Sequence, residues 1–257
     1  MEVFSLRPIR STADWIDTVG KKNYKQGSYS AYQVSQSWRN LNGRLPAPMS
    51  KIFESSKDPL FHNLKPEHIV AEKQIYLLDS LKNPSRTDIM SYCSNSMGET
   101  ILLCVECKAK ETFASRVSSW VATPDEPPIR RQALLFHQKA ELVPRKLNRL
   151  KSLNTVLGTN VMPDSHLRYQ LLHRTASAII EGRNLSARAA VMVVQAFTAS
   201  VENFFDFSDF CDTLGLSCPR KDTVLGPYFT PFNESTPLYL LYVQDSLSSE
   251  KSPASLF

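Results

Sequence analysis

Apolar residues fall in short runs along the chain, and the period of each run predicts an element. From Tyr29 to Asn42, Tyr29, Tyr32, Gln36 and Trp38 recur at mixed helical spacing before the stop signals Gly43 and Pro46, so a short helix is expected. Residues 43 to 68 hold several prolines and read as a loop with room for one helical turn. Ala71 to Leu78 alternates and ends in apolar residues, as a strand does, and Asp88 to Ser94 reads as a second strand. Thr100 to Lys108 is a third strand, apolar on both faces until its last residues, which is the mark of a central position. The turn Asn95 to Glu99, with Gly98, makes the second and third strands a hairpin. After a loop marked by Pro124, Pro127 and Pro128, Leu147, Leu150, Leu153 and Leu157 recur at helical spacing as far as Gly158. A long helix is expected from about His166 to Asn184, capped by Asp164 or Ser165. A buried strand over Ala189 to Phe197 follows, then a helix over Val201 to Leu214 with Phe204, Phe207, Phe210 and Cys211 inward, and a last strand over Leu238 to Val243.

This order, a meander followed by strands linked through helices, predicts an α/β fold with a mixed central sheet flanked by helices. The chain has 257 residues, which suits one domain, taken as residues 1–245, with the first dozen residues as an arm and a Ser-rich flexible tail over 246–257. No internal repeat is visible. No run of about 18 apolar residues is present, so no membrane association is expected. The N-terminus lacks the apolar segment of a signal peptide, and five cysteines in this length are no disulfide framework, so a cytoplasmic location is expected. The net charge of +5 permits a polyanionic partner without requiring one.

The chemistry lies at the end of the third strand. Side chains alternate on a strand, so Cys104, Glu106 and Lys108 share one face. A carboxylate and an ammonium at the end of an apolar strand need pairing or a bound metal to offset burial. With the hairpin turning at Asn95 to Glu99, Asp88 lies across from the region of Glu106, to within a residue or two of register. Two close carboxylates favour a divalent cation. Asp88, Glu106 and the backbone carbonyl of Cys107 suit magnesium, or manganese, which keeps several waters. Lys108 beside such an ion can orient or deprotonate an attacking water, or stabilise the charged transition state.

Asp88, a hairpin, then Val105-Glu106-Cys107-Lys108 resembles the PD-(D/E)XK nuclease superfamily, which includes many restriction endonucleases. The gap between Asp88 and Glu106 lies within the spacing usual there, although Thr87 stands where that pattern has proline. The order of elements from Tyr29 to Val243 is similar to that superfamily's core, so a restriction-endonuclease-like core is implied over most of the chain. Many members carry a glutamine on the helix after the Glu-x-Lys strand, and Gln170 matches that place by order. A narrower resemblance joins Leu167 to Ala178 to a family of bacterial proteins of unknown function, and supports the fold more than the activity.

Gln170, His173, Arg174 and Ser177 form one helical stripe. Arg174 can hold a phosphate oxygen through two donors, Gln170 and Arg174 can equally cap a loop or pair with a nearby carboxylate, and His173 is either a nucleic-acid contact, a general base or a hydrogen-bonded structural histidine. The basic residues Arg145, Lys146, Arg149 and Lys151 form either a solvated helix face or a track for a phosphate backbone. Cys104 and Cys107 point to opposite faces and read as packing thiols, with Cys211 and Cys218 too far apart for a knuckle; Glu72, early in the first strand, is either a further acid near the metal or, ahead of that, a surface residue. The expectation is a magnesium-dependent nuclease acting on nucleic acid, DNA ahead of RNA, with a homodimer left open. Its alternatives are a catalytically silent module of the same fold that binds nucleic acid or protein, and an enzyme acting on a small phosphate ester. A groove wide enough for a duplex, lined by Arg145, Arg149 and Arg174, favours the nuclease, whereas a closed pocket favours the small ester. Glu106→Gln and Lys108→Ala are expected to abolish hydrolysis while leaving the fold and nucleic-acid binding largely intact.

Overall fold

The computed structural model describes residues 3–4, 8–9, 12–20, 30–39, 41–79, 83–122, 139–198, 200–217 and 219–245. Two short strands, β1 (Val3–Phe4) and β2 (Pro8–Ile9), precede helices α1 (Thr12–Val19), α2 (Ser30–Ser37) and α3 (Ala47–Glu54). Strands β3 (Lys65–Ile75), β4 (Ser85–Ser94) and β5 (Thr100–Lys108) form the meander. Helices α4 (Val117–Ala122), α5 (Lys139–Leu157) and α6 (Tyr169–Asn184) lead to β6 (Ala189–Ala196), α7 (Val201–Thr213), β7 (Leu225–Thr230) and β8 (Asn233–Gln244). All eight strands share one sheet in the order β2-β1-β3-β4-β5-β6-β8-β7. The pairs β3–β4, β4–β5 and β7–β8 are antiparallel, while β5–β6 and β6–β8 are parallel, so the expected mixed α/β sheet is present.

Both faces of the sheet are covered, because its central strands are apolar on both faces. Leu102 and Cys104 of β5 pack with Leu150, Leu153, Leu171, Ala176, Phe207 and Phe210 of α5, α6 and α7, on what we term the front face. Ile101, Leu103, Val105 and Cys107 pack with Trp15, Trp38, Met49 and Phe53 of α1 to α3 and the turn after α2, on the back. Helix α6 lies close on the sheet because Gly182 presents no side chain: a Cβ there would stand 3.0 Å from the Ala190 Cβ and 3.3 Å from the Thr236 Cγ2. The back face also holds a buried polar knot. Gln195 of β6 accepts from Trp38 Nε1 at 2.8 Å and donates to Ser37 Oγ at 2.9 Å and Asp245 Oδ2 at 2.6 Å, tying the end of α2 to the sheet.

Several boundaries differ from the sequence expectation. Residues 47–54 are a helix, not a loop, because Pro46 and Pro48 stand at its N-cap and first turn, where a missing N–H costs nothing. The first meander strand starts at Lys65 rather than Ala71, and the second at Ser85 rather than Asp88. Helix α5 starts at Lys139 and contains Pro144. Helix α6 starts at Tyr169, capped by Arg168 with no side-chain hydrogen bond, while Ser165 Oγ instead accepts from the Leu167 N–H in the preceding turn. Strand β7 has no counterpart in the hydropathy pattern, since Gly226 and Pro227 read as a turn; proline is tolerated there because β7 is a sheet edge. The N-terminal arm contributes β1, β2 and α1. The loop prolines at 124–128, Cys218 and the tail over 246–257 lie outside the described residues. Among the described residues no helix is long and apolar enough to cross a membrane.

Candidate active site

The β4–β5 ladder runs from Ser94 opposite Thr100 to Ile89 opposite Val105, and the next step of the same register sets Asp88 opposite Glu106. In the β3–β4 ladder Ala71 faces Ile89 and Lys73 faces Thr87, so Glu72 falls opposite Asp88. Glu72, Asp88 and Glu106 thus form a row across three adjacent strands, on the front face that α6 covers. Glu72 has φ +52°, in the left-handed region that a non-glycine strand residue rarely occupies. The surface role expected of Glu72 is corrected by this placement. Its carboxyl is half-buried and its pKa is raised by burial and by Glu106, against the pull of Arg174. Burial along the strand stops alternating after Ala71, the next buried residue being Ile75, a feature of the structure that hydropathy does not mark.

Four groups converge on Glu106. Lys108 Nζ stands 2.7 Å from Oε1, Gln170 Nε2 donates to the same oxygen at 2.6 Å, and Arg174 Nε donates to Oε2 at 2.5 Å. The fourth is Asp88, close enough for its charge to be felt. Gln170 is itself held, its Oε1 accepting from the Ala114 N–H at 3.0 Å, so the amide is fixed with its donor toward the row. Burial opposes the charge on Glu106, but Lys108 and Arg174 outweigh it and hold the carboxyl below the usual range. Burial also opposes the charges on Lys108 and Arg174, and Glu106 and Asp88 in turn raise both above their ordinary values. Asp88 is different. Burial, then repulsion from Glu106 and Glu72, push its carboxyl well above the usual range.

Asp88 Oδ2 accepts from the Cys107 N–H at 2.8 Å, taking over from the ladder where β4 and β5 diverge. The N–H and C=O of one strand residue project to the same edge, so the Cys107 carbonyl is on the Asp88 side as well. Its thiol is on the back face, 3.6 Å from Gln195 Oε1, and Cys93, Cys104, Cys107 and Cys211 are all free and buried. Asp88 Oδ1 accepts no hydrogen bond from a described residue, and Glu106 Oε2 accepts one. Among the described residues no three His, Cys, Asp or Glu side chains form a metal-binding group. The groups that would hold a divalent cation here are Asp88, Glu106 and a backbone carbonyl; such oxygen donors suit magnesium, which takes one or two carboxylates and keeps waters, and not zinc.

Beyond Arg174 lies a cavity of about 280 Å3 lined by Leu77, Pro84, Ser85, Arg86, Arg149, Tyr169, His173 and Arg174. Arg174 joins it to the acid row, since its Nη1 donates to Ser85 Oγ at 2.9 Å while its Nε holds Glu106. His173 Nδ1 is 2.9 Å from Ser85 Oγ and its ring is 4.7 Å from that of Tyr169; burial first, then Arg174 and Arg149, keep its pKa well below the ordinary value. The basic face of α5 is only partly the solvated face expected. Lys146 is buried over the Trp120 ring and donates to the Trp120 carbonyl at 2.8 Å, and Arg149 is buried against Asp79, with Nε–Oδ2 at 2.6 Å. Arg145 is exposed and is not among the residues lining the cavity, so the three arginines do not line one groove, the feature that would favour a nuclease over an enzyme acting on a small phosphate ester; the cavity holds only Arg149 and Arg174 of the three.

No curated protein and no solved structure matches this chain. A family model, that of a domain of unknown function (DUF6946), matches residues 8–247, which span β2 to the end of β8 and hold every residue of the acid row, and the chain belongs to this family.

Proposed function

We propose that this protein is a divalent-metal-dependent phosphodiesterase of the PD-(D/E)XK nuclease type, acting on nucleic acid. The observation that carries the reading is the register of β4 on β5, which sets Asp88 opposite Glu106 with Lys108, Gln170 and Arg174 gathered on Glu106. Magnesium or manganese, when bound by Asp88, Glu106 and the Cys107 carbonyl, supplies a water of lowered pKa and polarises a phosphate oxygen. Lys108, with Nζ 2.7 Å from Glu106 Oε1, stands where it can orient or deprotonate the attacking water or offset charge on the phosphate. Arg174 adds a second fixed positive charge beside the row, and Gln170 holds the Glu106 carboxylate in one orientation. In the hydrolysis, water oxygen adds to phosphorus and gives up one proton to solvent, the bond from phosphorus to the leaving sugar oxygen breaks, and that oxygen takes up a proton from solvent.

The test is incubation of purified protein with labelled single- and double-stranded DNA and RNA, in magnesium, manganese or EDTA. Cleavage by the wild type that needs the metal, and that Asp88→Asn and Lys108→Ala lose while remaining folded, is the expected result. Mutants that cut as fast as the wild type would place the chemistry elsewhere. One observation favours a second reading, the silent binding module: with Asp88 protonated, the carboxylates Glu72 and Glu106 face the cations Lys108 and Arg174, and the cluster balances without a metal. A wild type inert on every substrate with either metal would put that reading ahead.

A further inference from the structure

We propose that the cavity beside the acid row binds a terminal phosphate monoester, so that the protein engages nucleic acid at the end of a strand. Three guanidiniums, Arg86, Arg149 and Arg174, line the cavity with the Ser85 hydroxyl, and no carboxylate is among its described lining residues. Two of the three are aimed from behind. Asp79 Oδ2 and Oδ1 hold Arg149 Nε and Nη2, and the Asn83 carbonyl accepts from Nη2 at 2.7 Å. Glu106 and Ser85 hold Arg174 Nε and Nη1, while its Nη2 makes no hydrogen bond to a described residue. Arg86 is exposed at the edge of β4.

Size and charge decide what enters. A volume of about 280 Å3 is near the lower end of small-molecule sites, roughly 300 Å3 and up, so it admits one nucleotide unit and no duplex. An internal stretch of strand offers diesters of single charge, whereas a monoester carries about −1.5 to −2 at neutral pH and three acceptor oxygens. Guanidinium forks select the latter by charge and by paired hydrogen bonds. Because one guanidinium, that of Arg174, touches both cavity and acid row, a phosphate seated in the cavity leaves the adjoining linkage toward Asp88 and Glu106. Only this last step rests on the proposed phosphodiesterase activity; the binding step does not.

The test separates the two. In EDTA, where no cutting is expected, decathymidylates with a 5′-phosphate, a 3′-phosphate or hydroxyls at both ends are titrated against the full chain by fluorescence anisotropy, with free 5′-thymidylate as competitor. One phosphorylated end should bind about tenfold tighter or more than the hydroxyl form, and Arg86→Glu, at an exposed position, should remove the difference. Equal binding of all three oligonucleotides overturns the proposal. Free thymidylate competing as well as the phosphorylated oligonucleotide would show a mononucleotide site and overturn the strand-end assignment. With magnesium, circular single-stranded DNA cut as fast as linear phosphorylated DNA would also overturn it. Absence of all cutting with the end preference retained would instead support the pocket and tell against the phosphodiesterase reading.

Discussion

Replacing Glu106 by glutamine keeps the side chain's shape and removes the charge that three donors share. The neighbours left behind are poorly placed to lose it: the Lys108 and Arg174 side chains are 6% and 11% exposed. The glutamine oxygen can serve Lys108 and Gln170 or else Arg174, and its NH2 then meets donors on the other side. Stranding one partner of a buried pair costs about 3–5 kcal/mol. Part is recovered here, because Asp88 loses a repelling neighbour and can ionise in place of Glu106. A net loss of about 2–4 kcal/mol is expected, and for a chain of this length roughly 2–4 °C of Tm accompany each kcal/mol, or about 6–12 °C near the middle of that range. Urea and thermal unfolding of the wild type, Glu106→Gln, Lys108→Met and the double variant give the cycle, in which the double variant should be less damaged than the sum of the singles by more than about 1 kcal/mol. A Glu106→Gln Tm within about 1 °C of the wild type would refute the reasoning.

Three further outcomes follow from the same geometry. Asp88 holds its proton more tightly folded than unfolded, so stability falls as pH rises from the ordinary aspartate value of about 3.9 through the raised folded value; Asp88→Asn should be the more stable protein at pH 8, with the gap closing below about pH 4 in urea midpoints. Magnesium competes with that same proton, so calorimetry in buffers of different ionisation enthalpy should show proton release on binding and an affinity that rises with pH; pH-independent binding, or none, would remove Asp88 as a ligand. Gln195→Leu leaves Trp38 Nε1 without its acceptor and Asp245 Oδ2 with only the Ser37 hydroxyl as donor, and should lower stability by about 1–3 kcal/mol, measured by urea unfolding, without altering any metal response of the front-face row.

The hairpin and its chemistry were legible because they are local. Period-two alternation over Thr100 to Lys108 and a short glycine turn fix which side chains share a face, and the register follows from the turn, so Asp88 could be set against Glu106 with no knowledge of the rest of the fold. Gln170 was reachable only through the resemblance, by its place on the helix after the Glu-x-Lys strand; the three- and four-residue stripe added that His173 and Arg174 share its face. Helix α3 and strand β7 were not, because prolines in a first turn or on a sheet edge look in sequence like the prolines of a loop. Which of the basic residues on α5 would be buried was a question of docking: Arg145 and Arg149 lie one turn apart, and contacts that include Asp79 and Asn83, some seventy residues away in sequence, take Arg149 out of solvent and into the cavity wall. Glu72 is the clearest instance. Its place in the acid row depends on a left-handed backbone step and on pairing with β4, and neither leaves a trace in hydropathy. The alternation of polar and apolar residues determined the sheet, its hairpin and the carboxylate pair, whereas the balance of charge around that pair was decided by tertiary packing, because burial sets the strength of an ion pair and burial belongs to the assembled layers.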